Sequence, residues 1–192
     1  EVRKTVYDNI QLPAVFMAYR MPAEGTKDYY ALSMLQTLLS GGKSSRLYKA
    51  LVDEQQKALQ VAAFPYALED GGIFILLGLA NMGVKLPDLE KAIEIQIDSV
   101  KRNGLTEKEF QKLQNQTETD FVSQNSTQEG IAQSLNNYYT FFGNPDLINT
   151  EINRYLAVTR EDIVRVAKKY LTRDNRVVLY YLPKSAENKE EK

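Results

Sequence analysis

Residues 58–80 read ALQVAAFPYALEDGGIFILLGLA, two runs of strand-forming residues on either side of Glu69-Asp70-Gly71-Gly72. An Asp-Gly step between apolar runs is a strong local hairpin signal, because glycine supplies the positive φ that a tight turn demands. The expected strands are Ala58 to Tyr66 and Ile73 to Ala80. The second, IFILLGLA, carries no polar residue, which places it centrally in a sheet covered over at least part of both faces.

On the N-terminal side, Val2 to Tyr7 and Ala14 to Tyr19 read as strands, with Asp8 to Leu12 connecting them and Pro13 and Pro22 as boundaries. Thr26 is a candidate N-cap for a helix with Tyr29, Tyr30, Leu32, Leu35, Leu38 and Leu39 at helical spacing, stopped by Gly41 and Gly42. Ser44 or Ser45 then caps a second helix bearing Leu47, Tyr48 and Leu51.

On the C-terminal side, residues 86–171 read as about four helices. Pro87 suits a first turn, Asn103-Gly104 is a stop, and Thr106 with Glu109 makes a capping box. Gly130 and Gly143-Asn144-Pro145 punctuate the stretch, and Thr159 with Asp162 opens the last helix, Ile163 to Leu171. Arg176 to Leu182 alternates once more and closes the pattern as a strand. The fold class is α+β, a mainly antiparallel sheet of about five strands with helices packed on it. Residues 1–183 are expected to form one domain, with a charged, disordered tail over 184–192.

Composition narrows function by exclusion. The 24 Lys and Arg against 25 Asp and Glu leave a scattered net charge of −1, with no basic field for nucleic acid or anionic lipid. No apolar run approaches the roughly 20 residues that a membrane span requires, and EVRKTVYDN lacks a signal-peptide layout. A soluble chain in a bacterial periplasm or cytoplasm is expected. With 0 His and 0 Cys there is no Ser-His-Asp triad, thiolate nucleophile, structural zinc or His-built catalytic metal site. The chain opens on Glu1 and immediately on a strand pattern, so a piece of a longer protein is expected, with the chemistry carried elsewhere.

Individual motifs offer little more. Gly42-Lys43-Ser44 ends like a P-loop, but the pattern requires glycine where Thr37 stands, and a helix precedes it where a strand is needed. The sequons at Asn115 and Asn125 fall in a helical stretch and read as chance. Tyr138-Tyr139-Thr140-Phe141-Phe142 reads as core. The near-paired acids Glu69/Asp70, Glu107/Glu109 and Glu161/Asp162 sit at turns or helix starts and suit helix dipoles rather than an acid/base dyad.

The run from Leu38 to Val52, LLSGGKSSRLYKALV, resembles the GG-x-SSRLY-x-x-L signature in the C-terminal half of pitrilysin-like zinc peptidases, the inverzincins related to mitochondrial processing peptidase. Leu12-Pro13, Arg20-Met21-Pro22, Asp28, Gly104 to Glu109, Tyr155 to Ile163 and Tyr170-Leu171 extend the resemblance over essentially the whole chain. The family implies two similar α+β halves, of which the N-terminal one carries the zinc motif H-x-x-E-H and the second closes a chamber over a peptide. Lacking histidine, this chain resembles the second half. Zinc is then expected in an N-terminal domain or a partner subunit, and this chain alone is expected to hold no catalytic residue, no metal and no activity.

In active members, or in their partner subunits, the second half presents an Arg and, seven residues later, a Tyr to the substrate. Those positions here are Val52 and Leu59, neither of which can donate a hydrogen bond. This leaves Gly41, Gly42, Lys43, Ser44 and Ser45 as the substrate-facing candidates, with Arg46 structural. Two functions follow from the resemblance. One is the non-catalytic C-terminal domain of a zinc metalloendopeptidase, which closes the peptide chamber and helps bind the peptide. The alternative is a catalytically inactive scaffold or partner subunit, as the core subunits of respiratory complex III are in the same superfamily.

Overall fold

A computed structural model describes residues 1–185; most of the tail expected over 184–192 lies outside the described residues. The strands are β1 (Val2–Asp8), β2 (Ala14–Met21), β3 (Ala58–Ala67), β4 (Gly72–Ala80) and β5 (Arg176–Pro183). They form one sheet in the order β1-β5-β2-β4-β3. The pairs β5·β2, β2·β4 and β4·β3 are antiparallel, whereas β1 runs parallel to β5, with Val2 opposite Val177.

The hairpin forms over the expected residues, but its turn works differently. Leu68 to Gly71 make a four-residue connection in which the Leu68 N–H donates to the Gly71 carbonyl (2.8 Å). Neither Gly71 nor Gly72 adopts positive φ. Gly72 is needed for space instead, because a Cβ there would strike the Tyr66 carbonyl oxygen.

Helices α1 (Lys27–Ser40), α2 (Leu86–Asn103) and α6 (Arg160–Tyr170) cover one sheet face. That face presents Met17, Tyr19, Phe74, Leu76 and Val178, each at most 1% exposed. Gly78 lets α2 approach, since a Cβ would stand 3.1 Å from Leu89 and 3.2 Å from Ile93. Helices α3 (Glu107–Gln124), α4 (Gln128–Phe142) and α5 (Leu147–Leu156) form an outer group reached through α1. The interval 86–171 thus holds five helices rather than four. The extra boundary is at Asn125-Ser126-Thr127, where Thr127 caps α4 and Gly130 keeps its first turn clear of the Gln124 carbonyl. The second sequon therefore sits between helices, not within one.

Two further expectations fail. The aromatic run at the end of α4 is not core: Tyr139 is 68% and Phe141 48% exposed, because α4 packs chiefly on α5 and not on the sheet. Nor is β4 covered on both sides. Phe16, Phe64, Ile75, Leu77, Leu79 and Leu179 line the second sheet face, and no described element packs over them.

Polar contacts dock the elements. Asp28, at the start of α1, accepts from Arg165 (2.6 Å), Lys169 (2.9 Å) and the Tyr170 hydroxyl (2.7 Å), tying α6 down. Burial pushes the Asp28 carboxyl up, but those donors outweigh it and hold it at about 2. Both capping boxes form, with reciprocal bonds between Thr106 and Glu109 and between Thr159 and Asp162. Arg176, 5% exposed, pairs with Glu90, Glu94 and Glu1, while Arg3 grips Glu90 through two bonds of 2.6 and 2.9 Å. Truncating one member of a buried ion network leaves its partners uncompensated. Arg176→Met is expected to cost about 3 kcal/mol, read as a lower urea midpoint at unchanged slope.

Candidate functional site

The segment Ser40–Arg46 joins α1 to a π-helical turn, Tyr48–Glu54. Its shape follows from its residue types. The Gly41 N–H donates to the Thr37 carbonyl (2.8 Å), so close to the helix that a Cβ would meet Thr37 Cγ2 at 2.7 Å. Gly42 has φ +101°, a conformation that side-chain-bearing residues rarely adopt. The Ser40 hydroxyl accepts from the Ala63 N–H (2.8 Å), and Pro65, two residues on in the same edge strand, has no N–H to offer. The β3 edge is thereby blunted.

Arg46 is structural. Its guanidinium makes two bonds to the Glu109 carboxylate (2.9 and 3.0 Å) and one to the Gly104 carbonyl (2.8 Å), clamping the loop to the start of α3. Burial raises the Glu109 pKa, but the bonds from Arg46 and Thr106 outweigh this and hold it at about 2. So clamped, Glu109 is no base near neutrality. Neither serine caps the following helix as expected. The Ser44 hydroxyl accepts from Lys112, and the Ser45 hydroxyl is buried with no partner. The Ser45 carbonyl instead accepts from the Lys49 N–H (3.0 Å).

Gly41, Ser44, Ser45 and Arg46 share a small cleft with Thr37, Lys112 and Gln116, whereas Gly42 and Lys43 are exposed and do not line it. Lys112 and Gln116 carried a signal in the sequence, since 109, 112, 113 and 116 fall on one helix face. Val52 packs partly buried against the core, and Leu59 is 48% exposed on β3; neither lines the cleft. Gln56, between them, takes φ +50° as the chain turns from the π-helical turn into β3. The arrangement can hydrogen-bond a ligand. It does not suit zinc: the chain has 0 His and 0 Cys, and among the described residues no three carboxylates are grouped so that they could hold a metal ion.

This α+β architecture is that of an inactive peptidase domain. The sequence profile of the Peptidase M16 inactive domain matches residues 1–117, and the chain belongs to that family. Zinc protease PqqE of Helicobacter pylori is 29% identical over 176 residues, which are 92% of this chain and 39% of that protein. The crystal structure of a protease from Helicobacter pylori superposes with a TM-score of 0.87 at 27% identity, over 94% of this chain and 44% of that one. The inactive peptidase domain of a putative zinc protease from Bordetella parapertussis shares the fold at TM-score 0.80 and 23% identity, over 93% of this chain and 94% of that one. The chain spans about two fifths of the length of the curated zinc-protease relatives it matches. No described helix is long and apolar enough to cross a membrane.

The Arg46–Glu109 clamp is testable through pH. A carboxyl lowered from 4.5 to about 2 contributes stability that is complete above about pH 4.5 and is lost as pH falls toward 2. Glu109 is partly exposed, so Glu109→Gln is expected to cost only about 1 kcal/mol at pH 7. In thermal melts the gap to wild type should close between pH 4.5 and pH 2.

Proposed function

We propose that this chain is the non-catalytic half of a zinc metalloendopeptidase. Residues 1–183 act as one domain that packs on a zinc-bearing half, closes a peptide chamber and turns the loop Gly41–Ser45 toward the peptide. The observation that carries this reading is the open sheet face. Phe64 (40% exposed), Ile73 (39%) and Val177 (39%) border the half-buried Phe16, Ile75, Leu77 and Leu79, a contiguous apolar surface of the kind that marks an interface. An all-apolar strand such as β4 is otherwise found with both faces covered. A zinc-bearing half set on this face would complete the layer that β4 lacks, and zinc would reside there or in a partner subunit.

Val52 and Leu59 favour a second reading. With no donor at either position, the chain offers nothing there to a developing oxyanion, which suits a catalytically inactive scaffold or partner subunit.

The test combines this chain with the zinc-bearing half of its parent, produced separately. A one-to-one complex is expected, with peptide cleavage that requires both parts. Phe64→Lys with Ile73→Lys, at positions already exposed, should leave the melting temperature close to wild type and weaken the complex at least tenfold. Equal cleavage by the zinc-bearing half alone, or stoichiometric zinc on this chain alone, refutes the first reading. A complex that holds no zinc and cleaves nothing establishes the second.

A further inference from the structure

The open sheet face has the dimensions of an interface. Five strands about 4.8 Å apart span it, and β2 crosses it with 8 residues at about 3.3 Å each, so its footprint is roughly 24 by 27 Å, about 650 Å². Two such faces laid together bury on the order of 1,300 Å², within the roughly 1,200–2,000 Å² of specific protein–protein interfaces. Sheets stack in this way about 10 Å apart, with strand directions within about 30° of each other. The apolar surface is continuous between neighbours in register, from Val177 and Leu179 on β5 through Phe16 on β2 and Ile75 and Leu77 on β4 to Phe64 on β3. By contrast, the exposed stripe Ile131, Leu135 and Tyr139 lies on a single helix of 15 residues, roughly 22 Å long and one side chain wide, which is too little for a stable contact by itself.

The charges on this face are few and placed at its ends. Those carried by its strands are Lys4 and Asp8 on β1 and Arg20 on β2. Asp8 accepts from the Tyr181 hydroxyl (2.6 Å), whereas the Arg20 side chain makes no hydrogen bond or ion pair among the described residues. Arg20 stands opposite Ile73, beside the β3–β4 turn, and Asp8 stands opposite Pro183, at the other end, where β2 begins with Ala14. A closed pair of identical faces is related by a twofold axis lying between them. Because β2 is the central strand, an axis along the strands would set Arg20 on its own copy. An axis across the strands instead carries Arg20 to the opposite end of the other copy, towards its Asp8. Lys4 then lies over the outermost strand, where its amine reaches water. In that arrangement the face is complementary to itself in polarity and in charge.

We propose that two copies of this chain pair through the open sheet face, related by a twofold axis across the strands, and that the pair is given up when a zinc-bearing half takes the same face. The exchange rests on the reading above and adds a regulation to it. Self-pairing covers β4 and holds the domain in a form that cannot join a zinc-bearing half, so the ratio of the two partners decides which layer the sheet receives.

The experiment follows the mass of the 192-residue chain by sedimentation equilibrium, and its melting temperature, from about 1 to about 200 µM. A dimer that dissociates in the micromolar range is expected, with a melting temperature that climbs with concentration. Phe64→Lys with Val177→Lys, at exposed positions on the face, should weaken pairing roughly tenfold or more and flatten that climb. Arg20→Glu should weaken it about threefold, through repulsion at Asp8. Ile131→Lys with Tyr139→Lys, on α4, should leave it unchanged. Adding a zinc-bearing half in equal amount should turn the dimer into a one-to-one complex. A chain that stays monomeric, a dimer indifferent to the face substitutions, or one broken only by those on α4 overturns the proposal. A monomer that still binds the zinc-bearing half overturns self-pairing and leaves the earlier reading intact. A dimer that the face substitutions break and the zinc-bearing half cannot displace establishes self-pairing and overturns the exchange, together with the reading on which it rests.

Discussion

A buried guanidinium, that of Arg176, fixes the arrangement on which the rest of the molecule depends. It enters from the first residue of β5, pairs with Glu90 and Glu94 on α2, and reaches Glu1 ahead of β1. A charge taken out of water is tolerable only when every partner is in place. Docking of α2, seating of β5 between β1 and β2, and attachment of β1 are therefore parts of one requirement. Tyr180, on the same side of β5, donates to Glu90 and closes the set. Because α2 spans the sheet over β2 and β4, the apolar layer formed by Met17, Phe74 and Leu76 inherits its position from this polar anchor.

Much of this was legible where a local rule coincided with a global need. The hairpin, both capping boxes, the stops at Gly41 and Gly104 and the alternation of β5 all follow from residues near in sequence. What escaped depends on partners far away. The parallel pairing of β1 with β5 has no local signature, and the exposure of Tyr139 and Phe141 follows from α4 lying on α5 rather than on the sheet. At Gly72 the residue type was read correctly and its reason was not, since steric room at the Tyr66 carbonyl was the need and not a positive φ, and Gly71 meets neither demand. The π-helical turn over Tyr48–Glu54 was likewise invisible, because its apolar residues fit ordinary helical spacing equally well.

The candidate site shows the same division. The absence of histidine and cysteine removed the usual zinc ligands before any geometry was known, and the loop with its two glycines was evident as a break between helices. That Ser45 would turn inward rather than cap a helix was not evident, since serine at that place in a sequence is normally a cap. Arg46 could be seen as structural, and the clamp on Glu109 explains how: a carboxylate already committed to a capping box is pre-oriented to take the guanidinium in two bonds. In this member of the inactive-domain family one scaffold shapes both the loop and an open apolar sheet face.

The position of β5 in the sheet also dictates a history for the chain. Glu1 and Arg176 meet across 175 residues of sequence, and among the described residues β1 pairs only with β5. During synthesis, β1 and one edge of β2 emerge well before β5, the strand that separates and pairs with both. Loop-closure entropy on that scale is paid late, so completion of the sheet is slow relative to the hairpin and the helices. Until then an apolar β4 and two bare strand edges are displayed together, the form in which a nascent chain is most in need of a holding chaperone.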